Sequence, residues 1–296
     1  MPDTITLRSR AKINLYLDVL ERRPDGFHNI ETVFQTVSLA DEMTFAETES
    51  GVSLDCSRPD LDAGPDNLVC RAAALLQAKT GCTRGAEIYL EKNIPVAAGL
   101  AGGSGNAAAA LEGLNTLWDL GLSHAELRAC ALQLGSDVPY CLVGGAQGAT
   151  GRGERLFALP TMPETWCVLV HPPVQVSTAA VYNSPRLVRN ADRPVAGRTR
   201  TFRHALEALR EGDFERAVFN RMEAPVFEQY PDLEIIKRRL VSAGCIAAAM
   251  SGSGPTMFGI CASHHAAENV AESLGPYATS VVKTVDKSLE RIENVQ

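Results

Sequence analysis

No apolar run in this chain approaches the ~18–20 residues that a helix needs to cross a bilayer. There is no block of consecutive Lys or Arg, no internal repeat and no low-complexity tract. The formal net charge is −7. That balance argues against nucleic acid or an anionic membrane as the main partner, because both favour a basic patch. An anionic small molecule held by one or two local cations stays open. None of the eight cysteines forms a C-x-x-C pair, so a zinc or thioredoxin-like reading has little support. Several lie in apolar runs, such as Trp166-Cys167-Val168-Leu169 and Gly244-Cys245-Ile246-Ala247, where a thiol behaves as a small hydrophobe. Reduced thiols are the simplest account. A basic-then-apolar signal segment is missing at the N-terminus, and the expectation is a cytoplasmic protein. Neither a G-x-x-x-x-G-K-[ST] loop nor a G-x-G-x-x-G fingerprint occurs.

What is present is a chain of 296 residues, 45% hydrophobic and 21% charged, long enough for two domains or one large one. Ile5 to Leu20 and Glu31 to Phe45 carry apolar and β-branched residues in partial alternation and predict strands on a half-buried sheet. Asp66 to Lys79 predicts a helix and Ala86 to Leu90 a short strand. A glycine-rich stretch from Gly99 to Gly105 runs into Ala107, Leu111, Leu114 and Trp118, which share one helical face. A further helix opens at Ser123 with Glu126 three residues on, the capping-box pattern, and closes at Gly135. Prolines punctuate 160–173, and 186–200 reads as a surface loop. The last five expected elements are a helix over 233–240, strands over 245–250 and 256–261, a helix over 266–274 and a strand over 280–285. That order suits an α+β half with antiparallel pairing. A boundary near 155–165 is expected, dividing 1–160 from 161–296.

The strongest chemical signal is the segment Pro95, Val96, Ala97, Ala98, Gly99, Leu100, Ala101, Gly102, Gly103, Ser104 and Gly105, which follows a strand and opens an alanine-rich helix. Such a junction offers unpaired backbone N–H groups at a positive helix end, which favours phosphate; a plain turn is the alternative. Lys92 lies just upstream, as a cation for phosphates or as a solvated strand end. A second glycine cluster, Ser251 to Thr256, sits between two strands of the C-terminal half. It is either a hairpin loop or the far wall of an interdomain cleft. Phosphoryl transfer to an alcohol needs a carboxylate near the attacking hydroxyl. Asp137, in Gly135-Ser136-Asp137-Val138-Pro139, is the candidate, with a local cap as its alternative role. Lys12 stands inside an apolar strand, where an inward ammonium requires an anionic partner and an outward one is solvated. The turn from Arg23 to His28 puts Phe27 and His28 side by side, suited to stacking on a base or to an ordinary surface turn. His264 and His265 begin a helix without metal partners, and no metal-ligating set is assigned.

The order and spacing of these signals resemble the 4-diphosphocytidyl-2-C-methyl-D-erythritol kinases, GHMP kinases of the non-mevalonate isoprenoid pathway. The resembling pieces are Ala11-Lys12-Ile13-Asn14-Leu15, Arg23 to His28, Asp66-Asn67-Leu68, Lys92-Asn93-Ile94-Pro95, the 95–105 loop, Leu134 to Pro139 and Ser251 to Thr256. They span about residues 11–256. The resemblance implies an α+β, two-domain GHMP kinase fold, the N-terminal domain like ribosomal protein S5 domain 2 and the C-terminal one ferredoxin-like. It implies ATP with Mg²⁺ as cofactor, and a cytidine diphosphate-linked methylerythritol whose 2-hydroxyl becomes the 2-phosphate. The 95–105 loop would wrap the ATP phosphates, with Lys92 and Asn67 on the nucleotide side. Asp137 would be the base or orienting carboxylate, with Lys12 beside it. Asn14, Phe27 and His28 would hold the cytosine, with Tyr182 stacking from the other side and Thr178 near it, on the shorter match Val176 to Tyr182. The chain departs from the family in having Gly105 where a second Ser or Ala usually follows Ser104, which removes a possible hydroxyl contact to phosphate or metal. A homoserine- or mevalonate-type kinase and an inactive nucleotide-binding sensor are the alternatives.

Overall fold

The computed structural model describes residues 4–192 and 194–292. Its first half comprises β1 (Thr4–Arg22), β2 (His28–Thr48), β3 (Val52–Cys56), α1 (Leu68–Thr80), β4 (Gly85–Glu91), α2 (Gly102–Leu117), α3 (His124–Leu134), α4 (Val138–Val143), β5 (Ala146–Thr150) and β6 (Arg155–Ala158). Then come β7 (Trp166–His171), α5 (Thr178–Asn183), α6 (Arg200–Glu211), α7 (Phe214–Ala217), β8 (Phe219–Asn220), α8 (Glu223–Gln229), α9 (Pro231–Ser242), β9 (Ala247–Met250), β10 (Met257–Cys261), α10 (His264–Ser273), β11 (Ala278–Lys283) and β12 (Leu289–Ile292).

β1 and β2 are the long strands expected, and their burial explains their composition. Residues 4–10 of β1 alternate between the core and a more open face, so apolar and polar side chains alternate there. From Ala11 to Leu20 every residue is buried, and the run is mostly apolar because it is covered on both faces, with Lys12, Asn14 and Asp18 as its polar exceptions. Ile13, Leu15 and Tyr16 pack with Leu169, Phe202, Phe258 and Ile260 of the second half, so one core is shared across the two sheets. The larger sheet runs β12-β1-β2-β4-β3, with β5 paired to β2, β6 to β5 and β8 to β1. The smaller sheet runs β11-β7-β10-β9, antiparallel throughout. Numbered within that half, this is order 4-1-3-2 in a strand–helix–strand–strand–helix–strand chain, the split βαβ arrangement.

The helices begin and end where their caps dictate. Asn67 accepts the Val69 N–H at the start of α1, and Ser123 and Glu126 form the capping box of α3. α2 is buried along almost its whole length, which is why it is built from Ala and Gly. A Cβ on Gly113 would stand 2.8 Å from the Phe45 ring. Stretch 186–200 is largely irregular, as expected, but is not merely superficial. Leu187 is buried, the Thr199 N–H donates to buried Glu31 at 2.7 Å, and Asn190 donates to buried Asp18 at 2.7 Å. No helix among the described residues is long and apolar enough to cross a membrane.

Candidate active site

The glycine loop takes its shape from left-handed backbone. Ala97, Gly99 and Ala101 have φ of 53°, 76° and 57°, a region costly for alanine. Ala101 is the N-cap of α2 and makes no side-chain cap bond. The Gly105 N–H donates to the Ala101 carbonyl at 2.8 Å. The amides of Gly102, Gly103 and Ser104 precede it at the positive end of a 16-residue helix with no intrahelical acceptor ahead of them.

The second glycine cluster docks on this loop. Ser251 Oγ donates to the Gly99 carbonyl at 2.9 Å, and the Thr256 N–H reaches the Ala98 carbonyl at 3.4 Å. A Cβ on Gly99 would lie 2.1 Å from the Ser251 carbonyl oxygen, so the approach of the two backbones requires glycine. Asn220 of β8 holds the cluster from below, donating to the carbonyls of Met250 and Gly252 at 2.6 and 2.7 Å.

Lys12 joins these parts. A register shift in the β1–β2 ladder lies between Arg10 and Lys12 and another between Asn14 and Tyr16; bulges of this kind re-aim side chains next to active sites. The Lys12 ammonium donates to Asn14 Oδ1 at 2.7 Å and to the Gly99 carbonyl at 3.0 Å, and lies 3.7 Å from Asp137 Oδ2. Its side chain is 5% exposed, that of Asp137 35%. Burial pushes Lys12 below the ordinary lysine value, and the Asp137 carboxylate opposes that push. Asp137 stands at the start of α4 but makes no cap bond, so its carboxylate is not consumed by the local turn. Asn14 is held in turn by Thr32, at 2.8 Å.

One cavity of about 820 Å³ collects these residues. Lys12, Asn14, Phe27, His28, Asn67, Lys92, residues 95–99 and 101–104, Asp137, Thr178 and Tyr182 all line it. Leu100 and Gly105 do not: both are buried, Leu100 giving its carbonyl to the Lys12 N–H at 3.1 Å. The Lys92 ammonium is buried against Asp41 at 2.6 Å and the Ile94 carbonyl at 2.7 Å. Burial lowers its pKa and Asp41 counters that. Asn67 donates to the Asp62 carbonyl at 2.6 Å while capping α1.

At the other end, His28 and Tyr182 stack on each other, ring centroids 5.2 Å apart and planes 13° apart. The His28 Nε2 is buried with no partner. Burial, followed by the cations Arg189 and Arg22, lowers the His28 pKa and keeps the ring neutral near pH 7. Burial raises that of Tyr182. Phe27 is exposed, with the Arg152 guanidinium 4.7 Å from its ring centre. Thr178 bonds Ser253 hydroxyl to hydroxyl at 2.7 Å, linking α5 to the second glycine cluster. The sequence reading missed Arg22, Asn106, Ser136 and Arg152, which line the cavity, and Asp41 beneath it, bonded to Asn106. A cation between two glycines, Gly151-Arg152-Gly153, was a signal available for Arg152.

Fold and site together define a class, and two family models match the chain in the corresponding order. "GHMP kinases N terminal domain" matches residues 67–145 and "GHMP kinases C terminal" matches residues 202–277. A 4-diphosphocytidyl-2-C-methyl-D-erythritol kinase of Moorella thermoacetica is 44% identical over 283 residues, covering 92% of this chain and 95% of its own length. One from Pelotomaculum thermopropionicum is 46% identical over 268 residues, covering 90% and 92%. A crystal structure of 4-(cytidine 5'-diphospho)-2C-methyl-D-erythritol kinase superimposes with a TM-score of 0.80 at 35% identity, over 94% of this chain and 98% of that one. The chain belongs to the 4-diphosphocytidyl-2-C-methyl-D-erythritol kinase family of GHMP kinases. It is an ATP-dependent small-molecule kinase with the α+β, two-domain fold expected from its motifs.

Proposed function

We propose that the chain transfers the γ-phosphoryl group of ATP to the 2-hydroxyl of 4-diphosphocytidyl-2-C-methyl-D-erythritol, giving the 2-phosphate, in the non-mevalonate route to isoprenoid precursors. The observation that carries this reading is the position of the Lys12 ammonium, 3.0 Å from the Gly99 carbonyl of the glycine loop and 3.7 Å from Asp137. One side chain thereby connects the helix end suited to phosphate with a carboxylate suited to a hydroxyl. Loop 95–105 receives the triphosphate, with Lys92 and Asn67 on the nucleotide side. Asp137 accepts or orients the proton of the attacking hydroxyl, and Lys12 stabilises the charge that builds on the transferring group. Phe27, His28 and Tyr182 receive the cytosine, the unpartnered His28 Nε2 supplying a hydrogen-bonding atom. Asn14 and Thr178 complete that side. The same reading divides the chain near residue 160 into an ATP-binding domain over 1–160 and a substrate domain over 161–296, working in the cytoplasm.

Magnesium enters the proposal as the partner of the nucleotide. Among the described residues no cluster of three or more His, Cys, Asp or Glu makes a ready metal cage. A magnesium ion keeps several waters and takes its remaining ligands from phosphates and one or two carboxylates. The Asp137 carboxylate and the Ser104 hydroxyl, both lining the cavity, would hold it. When bound, it neutralises phosphate charge.

The test is incubation of the protein with Mg-ATP and the cytidine substrate, with homoserine and mevalonate as alternative acceptors. The expected result is a monophosphorylated cytidine product and no comparable turnover of the other two alcohols. Bound but unreacted substrate would indicate a sensor. In His28→Ala the KM for the cytidine substrate should rise about tenfold or more while that for ATP stays unchanged; equal small effects on both would remove the base-reading role.

A further inference from the structure

Beneath the glycine loop lies a polar cluster of which only Lys92 has a part in the reading above. Asp41, in β2, is completely buried, and four donors converge on its carboxylate. Oδ1 accepts the backbone N–H groups of Asn93 and Ile94, both at 2.8 Å. Oδ2 accepts the Lys92 ammonium at 2.6 Å and the Asn106 side-chain amide at 2.9 Å. Residues 92–94 lead into the loop, and Asn106 lies on α2, which leads out of it. The middle of the loop is held separately, by the bonds of Lys12, Ser251 and Thr256 to the carbonyls of Leu100, Gly99 and Ala98. Among the described residues Asp41 is the side chain hydrogen-bonded to both ends. The Lys92 Nζ also stands 2.9 Å from the place a Cβ on Gly102 would take, so the cluster reaches directly beneath the first helical residue.

We propose that Asp41 is a positioning residue for phosphoryl transfer: by clasping 92–94 to Asn106 it fixes the span of the loop, and with it the aim of the Gly102, Gly103 and Ser104 amides at the triphosphate. This rests on the kinase reading given above. Backbone donors on a helix end hold an anion only when they converge on it, and a misplacement of about 1 Å in such a site costs roughly a hundredfold. Lys92 serves the same clasp, since two of its three donors are already engaged by Asp41 and Ile94.

The test measures equilibrium binding of a non-hydrolysable ATP analogue with Mg²⁺ and, separately, of the cytidine substrate, using the full chain. Asn106→Leu keeps the Asp41–Lys92 pair and cuts the tie to α2; because Asn106 also lines the cavity, the double variant below separates the clasp from a direct contact to the ligand. Asp41→Asn removes the charge. The double variant Asp41→Asn with Asn106→Asp moves the carboxylate onto α2, still beside Lys92. Analogue binding should weaken at least about tenfold in each single variant, with cytidine substrate binding unchanged and with recovery in the double variant. Wild-type analogue affinity in Asn106→Leu, equal weakening for both ligands, or no recovery in the double variant would overturn the proposal. Should Asp41→Asn not fold, wild-type analogue affinity in Asn106→Leu still overturns the proposal, and recovery in the double variant still supports it. If the wild-type chain itself does not bind the analogue, it is the kinase reading that fails, and this inference goes with it.

Discussion

At the scale of single residues the site is a set of conflicts resolved by neighbours. A lysine amid Ala11, Ile13 and Leu15 would be expensive without partners, and Lys12 has three: Asn14, the Gly99 carbonyl and Asp137. That conflict made Lys12 legible in the sequence. Asp41 was not legible. It adjoins Glu42 in a polar step of β2, and only the pleat of the folded strand turns one carboxylate to the core and the other outward. Asp137→Asn should still fold, since the carboxylate is partly exposed and caps nothing, with a thermal midpoint only modestly lowered by the loss of its attraction to Lys12, yet lose about 10²–10⁴-fold in kcat. An unaffected kcat, read in a steady-state assay, removes Asp137 from the chemistry. Lys12 must be charged to act, so the alkaline limb of kcat should fall below the ordinary lysine pKa of 10.5. In Asp137→Asn the opposing attraction is lost and the Lys12 midpoint, followed by NMR, should drop further. Between that depressed midpoint and 10.5 the unfolded chain binds more protons than the native one, so this group makes native stability rise with pH.

At the scale of elements, the loop and its helix were readable because glycine and alanine crowd together just ahead of an apolar helical face, a pattern that strands and ordinary loops do not share. What each glycine does was not readable. Gly105 was marked in the sequence by the hydroxyl it lacks. In the fold it lies off the cavity against β1, where an added Cβ would stand 2.6 Å from Ser9 Oγ. The element-level consequence is a packing constraint between α2 and β1. Gly105→Ala should destabilise the protein by about 1–3 kcal/mol, and adding Ser9→Ala, which removes the obstructing oxygen, should recover most of it. A denaturant-unfolding cycle measures the coupling; additive losses would show that the contact does not matter. The short elements α4, α5, β5 and β6 escaped the sequence reading because four to six residues hold too little periodicity to separate them from loops.

At the scale of the whole molecule, β8 and β12 return from the second half to pair with β1. Thr6 to Ser9 face Ile292 to Leu289, and Tyr16 and Leu17 face Phe219 and Asn220. A fragment ending at residue 160 would leave β1 with an uncovered edge and bare the shared core around Ile13 and Tyr16. It should therefore fail to give a dispersed NMR spectrum, whereas the full chain should; a well-dispersed spectrum of the fragment would show that the halves fold independently. The sequence by itself determined the alternation of strands and helices, the amide-rich helix start and the presence of a lysine and an aspartate needing partners, because those depend on neighbours a few residues apart. Tertiary structure alone decided that residues 12, 99, 137 and 251 meet, that Asp41 faces inward and that the last strand closes the first sheet. Such contacts join residues tens to hundreds of positions apart, and their geometry follows from strand register and sheet packing, which no local pattern encodes.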